Sequence, residues 1–151
     1  MNGRLITMKK IRILYLILSV FFLVIGICIY FLFRNIENML IFKWVPLVEL
    51  NIDYLPLKLN TSVFSYVLVY NIPDMLWFLS GILFFRFLWF NNCKTQMKYI
   101  LCFYVIGAVI EISQLFENIP GTFDKLDLLF MCLGALIEGL IYNVFIKRRC
   151  L

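Results

Sequence analysis

The sequence predicts an all-α integral membrane protein with four transmembrane helices, and three observations carry that expectation. Apolar residues make up 64% of the 151-residue chain and aromatic residues 18%, whereas soluble domains stand nearer half apolar. Four apolar runs approach or exceed the roughly 20 helical residues that cross a hydrocarbon core. Lysine and arginine residues flank those runs instead of forming one basic face, a pattern that suits membrane topology and not nucleic-acid binding. At this length the chain reads as a single integral membrane domain, residues 1–151.

The first run, "IRILYLILSVFFLVIGICIYFLF", predicts a helix over residues 11–33. A cleaved signal peptide has a shorter apolar core followed by small residues. Bulky "CIYFLFRN" follows here, so a retained helix is expected. Residues 34–72 mix apolar residues with Glu37, Lys43, Glu49, Asp53 and Lys58, and are interrupted by Pro46 and Pro56. They read as a long outer loop containing an interfacial or re-entrant segment, with Trp44, Tyr54, Tyr66 and Tyr70 suited to the membrane–water boundary. A short helix fits near 61–71.

The second spanning helix is expected over 73–90. Pro73 suits a first helical turn, where its missing N–H costs nothing, and Asp74 complements the helix dipole. Arg86, near the far end, is expected to snorkel to the interface. The third is expected over 98–116 and the fourth over 125–146, joined by the turn signal "NIPG". With the N-terminus inside, the inside segments hold Arg4, Lys9, Lys10, Arg12, Arg86, Lys94, Lys98, Lys147, Arg148 and Arg149, ten of the fourteen basic residues. Both termini are therefore expected in the cytoplasm.

No histidine is present. That excludes imidazole general-base chemistry, histidine-ligated metals and Ser-His-Asp triads. Five cysteines, at 28, 93, 102, 132 and 150, show neither zinc nor disulfide-framework spacing and read as small apolar fillers and free thiols. No cofactor and no resident metal are implied.

The informative residues are the acids inside apolar runs. Counted along helices of this orientation, Asp74, Glu111, Gln114, Asp124 and Asp127 collect toward the outer leaflet from three helices. Glu138 lies apart in the inner half, either as a proton station, as a neutral group, or paired across the bundle. Gly107, Glu111 and Gln114 share one helical stripe, as do Asp127, Met131, Gly134 and Glu138, and Asp74, Trp77 and Gly81. Charge at mid-bilayer costs at least ~2.5 kcal/mol, so these stripes are expected to face the bundle interior. Small residues in them permit close helix approach. The acids at helix starts also fit plain dipole and capping roles, and Gln114 fits an interhelical hydrogen bond.

These residues resemble the VanZ-like family of small bacterial membrane proteins over residues 72–140. The matching pieces are "IPDMLWFLSG", "GAVIEISQLF", "PGTFDKLDLL" and "LGALIEG". The family pattern, a Glu three residues before a Gln, a Pro-Gly turn, then an Asp opening a helix with a Gly-Ala pair, falls on Glu111, Gln114, Pro120, Gly121, Asp127, Gly134 and Ala135. Asp74 matches the earlier helix. The chain departs at Phe78, where the family often has His, and at Thr122, where an Arg often follows the Pro-Gly. It departs again at Met131, commonly Asn, and at Glu138, commonly Gly. The resemblance implies a cell-envelope protein, with a link to glycopeptide susceptibility through the family's namesake, and supplies no reaction.

Three functions stay open on this reading. One is a non-enzymatic envelope protein whose outward polar pocket of Asp74, Glu111, Gln114, Asp124 and Asp127 binds a lipid headgroup, an envelope precursor, a glycopeptide-related ligand or a cationic ligand. Another is a small proton-coupled transporter or transporter subunit using Glu111 and Glu138, which with four helices needs a homo-oligomer. The third is an intramembrane enzyme holding a divalent cation on Asp124, Asp127 and Glu111. A purely structural role is the remaining alternative.

Overall fold

The computed structural model describes residues 2–33, 62–116 and 123–145. The expected outer-loop segment over 34–61, the Pro120-Gly121 turn and the basic C-terminal tail lie outside the described residues. Every described element is helical: α1 (Asn2–Phe33), α2 (Val63–Tyr66), a π-helical turn (Val67–Asn71), α3 (Ile72–Leu88), α4 (Cys93–Gln114) and α5 (Lys125–Phe145). Four stretches are long and apolar enough to cross a membrane: Met8–Phe33, Val63–Leu88, Cys93–Gln114 and Lys125–Asn143.

Local chemistry explains where these helices begin. Ser62 caps α2, its hydroxyl accepting the Ser65 N–H at 3.2 Å, and Asn92 caps α4 by accepting the Thr95 N–H at 3.1 Å. Both are standard N-cap residues. The second spanning stretch starts earlier than the expected residue 73, because α2 and the π turn run directly into α3. A proline inside a helix cannot donate and crowds the carbonyl four residues back. Here the wide turn, in which the Ile72 N–H reaches the Val67 carbonyl, precedes Pro73 and leaves it in the first turn of α3. α1 also begins earlier than the expected residue 11, at Asn2, since backbone hydrogen bonding lets a helix extend beyond its apolar run.

Successive spans alternate in direction. Arg12 near the start of α1 donates to the Phe87 carbonyl at the end of α3 at 3.2 Å, while Gly26 and Tyr30 of α1 meet Trp77. α3 is the central helix, with Leu79, Ile82 and Leu83 almost wholly buried. One apolar cluster joins it to α1 through Tyr15. A second joins it to α4 and α5 through Phe78, Ile82, Ile100 and Met131. Ser19 reinforces the α1–α3 seam, its hydroxyl donating to the Ser80 carbonyl at 3.0 Å, and Tyr104 ties α4 to the Met131 carbonyl of α5 at 3.0 Å. The outward faces are apolar, as Ile17, Phe21, Leu101, Leu136 and Leu140 illustrate; lipid tails suit such surfaces.

Glycines mark the tight seams. A Cβ at Gly134 would stand 3.2 Å from the backbone carbonyl oxygen of Met75, which cannot move without shifting α3. Gly134→Val is expected to destabilise the bundle by about 1–2 kcal/mol through overpacking. Gly139, with nothing within 4 Å of its Cβ position, should accept valine with little change. Unfolding of the two variants in bicelles checks the contrast.

Candidate functional site

Polar side chains gather at two depths. The first group lies where α4 ends, α5 begins and the end of α2 and the π turn lead into α3. Asp124 caps α5, its Oδ1 accepting the Leu126 N–H at 2.9 Å. Its Oδ2 accepts the Tyr66 hydroxyl at 3.1 Å. The Asp124 backbone N–H donates to Glu111 Oε1 at 3.1 Å, so a carboxylate from the last turn of α4 holds the start of α5. Asn71 Nδ2 donates to Asp127 Oδ1 at 2.7 Å. The Asp127 N–H donates to the Asp124 carbonyl at 3.1 Å, so Glu111, Asp124 and Asp127 gather around the first turn of α5.

Asn71 is fully buried, and its Oδ1 has no hydrogen-bond partner among the described residues. The amide orientation is dictated by Asp127, because a carboxylate accepts from Nδ2 and repels Oδ1. The acceptor is thus left over by the same contact that satisfies the donor.

The carboxyl of Asp124 is held below its ordinary value, chiefly by the Leu126 N–H, with the Tyr66 hydroxyl and Asn71 amide adding to this against a desolvation effect that raises it. A depressed folded-state value gives stability that is present above the unfolded value and lost as pH falls through the folded one. Acid should therefore loosen the α5 start below about pH 4. Asp124→Asn keeps a capping oxygen and should flatten that acid limb of a thermal-unfolding series, leaving the neutral range little changed.

Of the other residues expected here, Asp74 lies half-buried in the first turn of α3, and Gln114 ends α4 one turn beyond Glu111. Gln114 makes no hydrogen bond to the carboxylates among the described residues. Tyr66 and Asn71 are additions. Sequence reasoning placed them near the membrane boundary, within the short helix expected near 61–71, and tied neither to the acids; the available signal was the apolar continuity of "VFSYVLVYNI".

The second group lies about 16 Å further along α5, eleven residues from Asp127. Arg86, expected to snorkel, is instead buried. Its Nε and Nη2 donate to the two oxygens of Glu138 at 2.7 and 3.2 Å. Nη1 donates to Gln96 Oε1 at 2.7 Å, Gln96 Nε2 donates back to the Arg86 carbonyl at 3.0 Å, and the guanidinium lies 4.2 Å over the Tyr142 ring. A bidentate carboxylate, an amide and an aromatic face satisfy Arg86 inside the bundle, which removes the reason to reach the interface. Of the arrangements open to Glu138, the structure places it in a pair across the bundle.

No group of three or more Asp, Glu, Cys or His among the described residues is arranged to hold a metal ion. The divalent-cation arrangement on Asp124, Asp127 and Glu111 therefore lacks a geometric basis. Cys28, Cys102 and Cys132 are free thiols. Cys93 is disulfide-bonded, a departure from the expected free thiols, since spacing along a chain says little once helix ends meet in a bundle. Compared with known proteins, the chain matches no family model, no curated sequence and no solved structure.

Proposed function

We propose that this chain is a non-enzymatic integral membrane protein of the bacterial cytoplasmic membrane, with both termini cytoplasmic, that binds a cationic group at its outward-facing acidic end. The carrying observation is the convergence of Glu111, Asp124 and Asp127 with Tyr66 and Asn71 at one end of the bundle. Grouped carboxylates at the edge of a low-dielectric bundle create a field that favours a cation. Lys125 flanks them, exposed on the outer face of α5. The orientation is supported by the bias of lysine and arginine toward the opposite end, and the envelope setting by the VanZ-like resemblance.

The proton-relay alternative is less well supported, because Glu138 is engaged by Arg86 through both carboxylate oxygens. Thermal unfolding of the protein in nanodiscs, at fixed ionic strength, tests the reading. Ethylammonium or tetramethylammonium at saturating concentration should raise the midpoint by about 2–4 °C by mass action. The Glu111→Ala, Asp127→Ala double variant, at wild-type membrane levels, should lose that rise. No response to either cation, or an unchanged response in the double variant, would defeat it.

A further inference from the structure

We infer that the acidic end selects a primary ammonium group, one that carries N–H donors, over a quaternary ammonium of the same charge. This rests on the reading of that end as a cation site and adds its specificity. Charge attraction to the carboxylates is common to both cations and does not by itself discriminate. The discriminating feature is Asn71. Its side chain is wholly buried, its Nδ2 is committed to Asp127 at 2.7 Å, and its Oδ1 stands without a donor among the described residues. A buried acceptor left unmade carries the full desolvation cost of that group. A ligand N–H placed beside Asp127 removes the cost, and a methylated nitrogen does not.

The neighbouring acceptors fit the same donor. A primary ammonium offers three N–H bonds and no acceptor, as a lysine head does. Glu111 accepts one described hydrogen bond, and an ionised carboxylate has about four acceptor positions. Glu111 therefore retains acceptor capacity at this end. A quaternary ammonium is recognised differently, by the faces of aromatic rings. Tyr66 and Tyr70 are the rings at this end, and they stack on each other at 4.7 Å. Each thus covers a face of the other, and the pair does not wall a cage.

The chemistry is shared by an aminolipid headgroup and by a free small amine, and the test separates them. The protein is placed in nanodiscs of phosphatidylglycerol doped with equal phosphatidylethanolamine and phosphatidylcholine, and retained lipids are counted by native mass spectrometry. In parallel, ethylammonium and tetramethylammonium are compared by midpoint shift. A preference of about tenfold for the N–H-bearing species is expected, the scale of one hydrogen bond to a charged group. Preference among lipids assigns a headgroup ligand; preference confined to the soluble amines assigns a free amine. Asn71→Leu should erase the preference between the two ammonium types. Equal response to both ammonium types in the wild-type protein overturns the inference, and that comparison needs no variant to fold. A preference that persists in Asn71→Leu also overturns it. Absence of any cation response defeats the underlying cation site itself.

Discussion

Glu138→Leu is expected to destabilise the folded bundle by about 3–5 kcal/mol, the scale of stranding one member of a buried ion pair. The substitution removes both oxygens that receive Arg86, at 2.7 and 3.2 Å. What remains around the guanidinium is Gln96 Oε1 and the Tyr142 ring. Neither neutralises it, and the surrounding positions are helix interior, where an uncompensated charge is costly. The pair itself has a different value from the loss. Replacing both partners by apolar groups of similar volume removes the desolvation cost together with the attraction. The double variant Arg86→Met, Glu138→Leu should therefore recover most of the stability lost by Glu138→Leu alone. A double-mutant cycle on unfolding in bicelles reads this as a coupling of several kcal/mol. Arg86→Lys tests geometry separately, because an ammonium cannot reproduce the fork that meets two oxygens and an amide at once. A Glu138→Leu variant within about 0.5 kcal/mol of wild type would mean that Arg86 reaches water after all.

That pair also shows where sequence reading stops. The existence of four spans was legible, because hydrocarbon thickness fixes how long an apolar run must be. So were the stripes: Gly107 meets Met131, Gly81 meets Phe103 and Gly134 meets the Met75 carbonyl, all contacts between helices, as shared helical faces imply. Arg86 was not legible. Its nearness to the end of an apolar run suited snorkelling, and nothing in its own helix reveals a carboxylate 52 residues away. Partnership across helices is set by packing, which one-dimensional periodicity does not carry. The same limit hid Asn71 and Tyr66. Pro73 read as a helix start, so the expected short helix near 61–71 stood apart from the second span, whereas a π turn joins the two. Asp124 was legible as a cap, since an acid at a helix start is a cap wherever the helix sits.

Packing without a solvent-driven force leads to the last expected result. Leu83 is fully buried on α3, in contact with the apolar cluster that includes Tyr15 and Leu79. In water, truncating such a residue combines a lost transfer energy with the cost of the cavity, about 2–5 kcal/mol in all. In a bilayer the separated helix keeps Leu83 among lipid tails, which are as apolar as the core. The transfer contribution then largely cancels, and lost dispersion contacts around an unfilled space remain. Leu83→Ala is accordingly expected to cost about 2–3 kcal/mol, the lower part of the aqueous range. Leu136 provides the control: it is 64% exposed on the outward face of α5, and lipid tails refill the space its side chain vacates. Leu136→Ala should fall within about 0.5 kcal/mol of wild type. Unfolding both variants in bicelles gives the comparison directly. Equal costs at the two positions would show that Leu83 is no better packed than a lipid-facing residue, and α3 would then lose its place as the helix around which the others assemble.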